Sequence, residues 1–374
     1  MRGIFGLFLA VSAASVVLLA RANAADAPAP TAPAVLSDEK RKLLCGRWIE
    51  SVRFQPADAT QRPKPRFPRD DLNAWSEGWV LLGFGIGADG TTNNIEVLDR
   101  LGSKNIVSAA VDAVAQWRYR PGTFDGRPVA QFNNRLEVDY QIEGLWLEAT
   151  HDSIVRKHRH ALQLLRDGDA RGAVAELESA FLLRANLYEQ SRLSFLMALA
   201  YLQLNDAPRA LQHIRHATLE DGKFLERTIS SAAWRLQLQL EARDSNFQYV
   251  ACHEPLLKWD KADEDADDRA ETKREVKVVE AALADPGPLA LNATLAVNPW
   301  VEGPALWEHP LIRRKFAFDG TNGKVANFKL SCFTQIVEGK VDDTSQWAVP
   351  VSAGPCMLRA FGEAGAAFVL IEEW

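Results

Sequence analysis

Cysteine is scarce in this chain, with four in 374 residues. That is too few for a disulfide-dense scaffold or for a pair of C-x-x-C zinc knuckles. Basic blocks are missing as well. Formal net charge is −6 with no extended run of Lys and Arg, so there is no positive stripe to meet a phosphate backbone, which excludes nucleic acid as a partner. No G-x-S-x-G, H-E-x-x-H or P-loop pattern occurs, and with them go common hydrolase, metalloprotease and nucleotide-binding signatures. Beyond the first 24 residues no apolar run is long enough to cross a bilayer. What remains is an ordinary globular balance, 47% hydrophobic and 25% charged, at a length that suits two or three domains.

The first 24 residues read as an address. Arg2 precedes an apolar run over Ile4–Ala20, and Ala22-Asn23-Ala24 follows it. A positive start, an apolar core and an A-x-A triplet describe a secretory signal, with an uncleaved membrane anchor as the alternative. Cleavage after Ala24 removes Arg2 and Arg21 and no acid, moving net charge from −6 to −8. Either way the body of the chain is exported, and membrane contact is confined to residues 1–24 if they are retained. Residues 25–65 then read as an Ala/Pro-rich tether with a short helix over Asp38–Cys45, capped by Ser37.

Residues 66–148 carry an α/β pattern. Val80, Leu82, Phe84 and Ile86 alternate with other residues, the period of a strand with one buried face. Ala88-Asp89-Gly90 supplies hairpin turn chemistry, and Ile95 and Val97 continue the alternation. Val107, Ala110, Val111, Val114 and Trp117 then recur at helical spacing, with Pro121-Gly122 as the expected stop. Leu136, Val138, Tyr140 and Ile142 alternate with Arg135, Glu137, Asp139 and Gln141, the cleanest strand signal in the chain. The order is strand, strand, helix, strand.

Residues 150–257 change character. Ala161, Leu164, Gly168-Asp169, Ala173, Leu177 and Ala180 recur as Ala198, Tyr201, Asn205-Asp206, Ala210, Ile214 and Ala217, each offset by 37 residues. Small residues let helices approach closely and the polar pair makes a turn, so this is a helix–turn–helix repeat, with a third helix over Leu225–Ala242 as its cap. Residues 258–285 hold an acidic run from Asp260 to Asp268, read as a solvated helix or linker. Residues 286–374 are punctuated by Pro and Gly between apolar runs, at Leu289–Val297, Val325–Phe333, Gln346–Val351, Cys356–Phe361 and Ala367–Ile371, which describes a small β domain. Cys332 and Cys356 fall within these runs, and in an exported chain a disulfide between them is the natural reading. Pairing of Cys45 with Cys252 would follow by elimination and is left open. The fold class expected is α+β and multidomain.

The α/β segment resembles the TonB C-terminal domain, the periplasmic end of bacterial energy transducers. The likeness is carried by Phe67-Pro68, Gly78-Trp79-Val80, Phe84, Ile86, Asp89-Gly90, Ala110, Ala113-Val114, the helix exit Trp117-Arg118-Tyr119-x-Pro121 and Gly126-x-x-Val129, between Arg66 and Glu143. The helical segment resembles tetratricopeptide repeats, although its period of 37 exceeds the usual period of about 34 and the early aromatic is missing. The TonB resemblance implies a final strand, Asn133–Ile142, with an open edge that accepts an extended peptide as an added strand. Asn133, Arg135, Glu137, Asp139 and Gln141 would be the partner-binding residues, and a segment of an outer-membrane receptor the kind of partner. It also implies the periplasm, or the inner membrane facing the periplasm. A transducer needs a firm anchor and a long Pro-rich rod, so membrane-anchored energy transduction stands as the alternative to a periplasmic interaction module.

No constellation of catalytic, cofactor-binding or metal-binding residues stands out. His213 and His216 are three apart on a predicted helix, but no third ligand is near and a solvated surface is the plain reading. Cys252-His253-Glu254 sets a thiol beside an imidazole, yet sequence neighbours seldom meet as a nucleophile pair. The reading is therefore non-enzymatic. Its rival, an exported enzyme with its site in residues 286–374, requires a polar pocket with a shifted titratable group there. Among eleven Trp, Trp117, Trp234 and Trp347 fall on apolar faces and read as core; Trp300, Trp307 and Trp374 read as contact-surface candidates, and Trp146 as a docking residue behind the last strand.

Overall fold

The computed structural model describes residues 54–142, 151–183, 186–253 and 266–374, together with Leu36, Arg41, Leu44 and Cys45. The address at 1–24, most of the tether up to residue 53, Trp146, Glu254 and the acidic run up to Asp265 lie outside the described residues, whereas residues 54–55 and 58–61 of the expected tether form strands.

In the first region the elements are β1 (Phe54–Gln55), β2 (Asp58–Gln61), α1 (Arg69–Asn73), β3 (Gly78–Ile86), β4 (Thr92–Leu101), α2 (Lys104–Ala115), β5 (Arg118–Arg120), β6 (Gly122–Phe124), β7 (Arg127–Val129) and β8 (Gln131–Tyr140). The main sheet is antiparallel in the order β4-β3-β8. The alternating Val80, Leu82, Phe84 and Ile86 are buried against Ile106, Ala110 and Val114 of α2, with Val138 and Tyr140 of β8 completing that core. Ser103 caps α2, its Oγ accepting from the Ile106 amide at 3.3 Å. The helix stops at Ala115 rather than at Pro121, and the short strand β5 lies in the interval. Trp117 lies beyond the helix and is still core, because its Nε1 donates to the Pro63 carbonyl at 3.0 Å and locks the ring in place. Gly90 closes the β3–β4 hairpin at φ +80°, and a Cβ there would sit 2.0 Å from the Tyr119 carbonyl oxygen. Gly90→Ala is therefore expected to cost more than about 1 kcal/mol, read as a lowered urea midpoint with an unchanged slope.

The helical region runs α3 (Asp152–Arg166), α4 (Ala170–Phe181), α5 (Leu187–Gln203), α6 (Ala207–Ala217), the single turn α7 (Leu219–Gly222), α8 (Arg227–Arg243) and α9 (Phe247–His253). The 37-residue offset has a direct physical form. Ala161, Ala173 and Ala180, and their counterparts Ala198, Ala210 and Ala217, are all fully buried. Gly168 and Asn205 both take the left-handed conformation, and the next residues, Asp169 and Asp206, both cap the following helix.

The last region begins with α10 (Ala266–Ala284) and continues through β9 (Leu289–Thr294), β10 (Ala305–Pro310), β11 (Lys315–Asp319), β12 (Val325–Cys332), β13 (Ile336–Lys340), β14 (Gln346–Ala348), β15 (Cys356–Gly362) and β16 (Ala367–Glu373). Two four-stranded antiparallel sheets form, ordered β14-β11-β16-β9 and β10-β15-β12-β13. Phe316, Phe318, Phe328, Leu330, Leu358 and Leu370 fill the core, and Val276, Val279 and Leu283 of α10 pack against the same cluster. Cys332 and Cys356 are opposed in register and disulfide-bonded, as are Cys45 and Cys252. Strands β10, β11 and β13 lie outside the apolar runs read from the sequence. Trp307, read as a surface candidate, is buried in the core of β10. His309, two residues on, is fully buried, and its Nε2 meets the buried Glu372 carboxylate at 2.8 Å.

Candidate functional site

Strand β8 lies at the edge of the main sheet, and among the described residues only β3 pairs with it. Its ladder runs without interruption from Asn134, opposite Phe84, to Tyr140, opposite Gly78. Asn133 stands in a bulge at φ +58°, where two residues of β8, Phe132 and Asn133, stand against one of β3, Gly85. Amides flanking this ladder at both ends are occupied: the Phe132 amide donates to the Phe333 carbonyl at 2.7 Å, and the Ile142 amide to Oε1 of Glu77, which adjoins β3, at 2.7 Å. Between them, no described residue outside β3 bonds the backbone of residues 135–141. In an antiparallel edge strand alternate N–H and C=O groups point away from the sheet, so a row of backbone donors and acceptors is left over.

The sheet's face opposite α2 is covered at both ends. At one end the last region is held by charges of alternating sign. Arg135 Nη1 meets Glu308 Oε1 at 2.7 Å, Glu308 Oε2 meets Arg359 Nε at 2.7 Å, Arg359 Nη1 meets Glu96 Oε2 at 2.7 Å, and Lys329 closes on the other oxygen of Glu96. Burial acts to raise the Glu308 carboxyl, but the two guanidiniums outweigh it and hold the group at about 2. Glu96 is lowered in the same way. At the other end Trp79 and Leu101 pack on Leu187 and Leu219 of the helical region. There the Leu187 amide donates to Glu77 Oε2 at 2.9 Å and His216 Nε2 meets Asp99 Oδ2 at 2.8 Å.

His213 and His216 therefore correct the sequence reading. Both are buried, not solvated, with Trp300 edge-on to His213 at a centroid distance of 4.7 Å and tilted against His216 at 4.1 Å. Burial drives the His213 imidazole down to about 2, so it stays neutral. Among the described residues no cluster of three metal-binding side chains occurs. Trp300 is half-buried at this junction rather than offered to a partner, whereas Trp374 is exposed as expected. Within residues 286–374 the strongly lowered carboxyls are Glu308, whose oxygens are taken by Arg135 and Arg359, and Asp342, held at about 2 by hydrogen bonds from Thr344 and Ser345 in an exposed turn. Both shifts have structural causes. Cys252 is disulfide-bonded and so is no nucleophile.

Of the five residues singled out on the final strand, Arg135, Glu137 and Asp139 project on the face away from α2. Arg135 is committed to Glu308. Gln141 Nε2 donates to Asp139 Oδ2 and Glu220 Oε1, both at 2.8 Å, and its Oε1 accepts from Lys223 Nζ at 3.0 Å. Glu137 has no ion-pair partner among the described residues. An open cleft of about 560 Å³ follows this half of the strand. It is lined by residues from both faces of β8, Glu137, Asp139 and Gln141 from one and Tyr140 from the other, so the free strand edge itself borders the cavity.

A family model described as Gram-negative bacterial TonB protein C-terminal matches residues 63–142. Residues 63–142 are a TonB C-terminal domain. Within the match lie β3, β4, α2 and β8, the elements that build the edge. Protein TonB of Vibrio cholerae is 28% identical over 90 residues, which is 24% of this chain and 36% of that protein, so the chain spans about a third of that relative's length. The solution structure of the Pseudomonas aeruginosa TonB CTD is 24% identical, covering 26% of this chain and 95% of that one, with a TM-score of 0.22. The helical region after the TonB domain has no family assignment. The TonB domain is non-catalytic and is the assigned part of the chain. Together with two disulfides it points to an extracytoplasmic site. Among the described residues no helix is long and apolar enough to cross a membrane.

Proposed function

We propose that this chain is a periplasmic, non-catalytic protein-interaction module whose TonB domain takes an extended peptide as an added strand along Asn134–Gln141. One observation carries the reading: the outer edge of β8 is unpaired among the described residues although two further regions clamp the face beside it. Those regions act as a brace. They hold the strand in register and leave its backbone groups to a partner, which supplies affinity through main-chain bonds. A segment of an outer-membrane receptor is the partner class that TonB domains bind. Glu137, and Asp139 through the carboxylate oxygen that Gln141 does not engage, are the side chains left to bias its choice, while Arg135 and Gln141 are held by neighbouring regions and Asn133 sets the bulge that ends the docking strand. The helical repeat, similar in form to tetratricopeptide pairs, spaces the brace.

The test is a set of synthetic decapeptides covering the N-terminal segments of the source organism's outer-membrane receptors, titrated against the oxidised chain by fluorescence anisotropy. The best binder is then remade with single backbone N-methyl groups at successive positions. Strand addition predicts loss of binding at every second position only. Binding by none of the peptides, or losses without a period of two, overturns the reading.

A further inference from the structure

The open cleft beside β8 has a charge and an alternation of its own. On one side stand the carboxylates of Glu137, Asp139 and Glu220 with the single cation Lys223; on the other stand Pro65 and Phe67, the latter edge-on to Tyr140 at 5.5 Å. Lys223 is already spent on Glu220 at 2.8 Å. Glu137 and Asp139 are both exposed and lie two apart on one face of the strand. Trp79 also lines the cleft, only 5% exposed, and its Nε1–H has no acceptor among the described residues. The cleft thus carries uncompensated negative charge and a buried donor that no described residue partners.

From this we infer that the peptide docked on β8 is basic, with Lys or Arg at two positions separated by one apolar residue. The inference rests on the strand-addition reading and specifies its partner. A strand added to β8 places alternate side chains on one face, so residues j and j+2 stand across from Glu137 and Asp139. Residue j+1 turns to the other face, where Phe67 and Pro65 offer an apolar wall. Charge complementarity selects the first pair, and the wall selects the residue between them.

Three heptapeptides of equal length test it on the full oxidised chain. Each has Thr-Thr on both flanks, around Lys-Val-Lys, Glu-Val-Glu or Lys-Lys-Val. Lys-Val-Lys is expected to bind at least about tenfold tighter than Glu-Val-Glu at low salt, and several-fold tighter than Lys-Lys-Val, which has the same charge in the wrong period. The double variant Glu137→Lys, Asp139→Lys changes two exposed side chains and is expected to invert the preference. Equal binding by all three peptides, with losses on backbone N-methylation still alternating, overturns the charge specificity and leaves strand addition standing. Binding by none of the three, or binding unaffected by N-methylation at any position, overturns both.

Discussion

Glu308→Ala is expected to lower the stability of the chain by about 2–4 kcal/mol, between the cost of losing an exposed ion pair and that of removing one partner from a fully buried one, because Glu308 is half-buried. The loss is large because Glu308 sits between two guanidiniums, each at 2.7 Å, and Arg359 is only 13% exposed at its side chain. Without the carboxylate Arg135 and Arg359 face each other as like charges, and the last region loses its hold on β8. Urea unfolding of the variant reads the loss, and limited proteolysis shows whether residues 286–374 come away from the TonB domain. The same group sets a pH dependence. Its carboxyl is held at about 2 in the folded chain against an ordinary value of 4.5. A depressed carboxylate contributes stability that is fully present above the unfolded value and is lost as pH falls through the folded one, so the contribution of about 3 kcal/mol declines between pH 4.5 and 2. In Glu308→Gln that slope is expected to shrink while stability at neutral pH is already reduced. An unchanged acid profile in the Gln variant would show that the clamp does not hold the regions together.

Loss of the Cys45–Cys252 disulfide is the second large effect. The bond spans a sequence separation of 207 and ties the segment before the TonB domain to α9. Closing a loop of that length restricts the unfolded chain by about 5 kcal/mol on the chain-entropy estimate, at the upper end for a disulfide. The Cys332–Cys356 bond, at a separation of 24, is expected to contribute about 3 kcal/mol. Cys45→Ala with Cys252→Ala should therefore lower the urea midpoint more than Cys332→Ala with Cys356→Ala. The reverse order would mean that the long bond joins parts already held together by packing.

The strands of the TonB domain were legible because one face of each is buried. Val80 to Ile86 and Leu136 to Tyr140 had to alternate, and they pack where that alternation put them. The helical repeat was legible for a similar reason: only small residues fit where the helices cross, so Ala recurs at the same offset. What the sequence hid depends on partners far away in the chain. Arg135 and Gln141 looked free to choose a partner, yet their counterparts are Glu308 and Glu220, 173 and 79 positions on. His213 and His216 looked solvated because nothing local shows that Trp300 covers them. Trp307 looked like a surface residue because nothing local shows that its strand is buried, with the neighbouring His309 set against the distant Glu372. The bulge at Asn133 did have a local signal, since Asn is among the residues that tolerate the left-handed conformation and two of them stand together at 133 and 134.

The most direct test is hydrogen exchange resolved at single amides over Asn134–Tyr140 in the intact, oxidised chain without any peptide. An edge strand bonded on one side predicts alternation, with every second amide slow because it donates to β3 and the amides between exchanging far faster. Uniformly slow exchange along those seven residues would mean that the chain covers its own edge, and peptide docking on β8 would have to be abandoned.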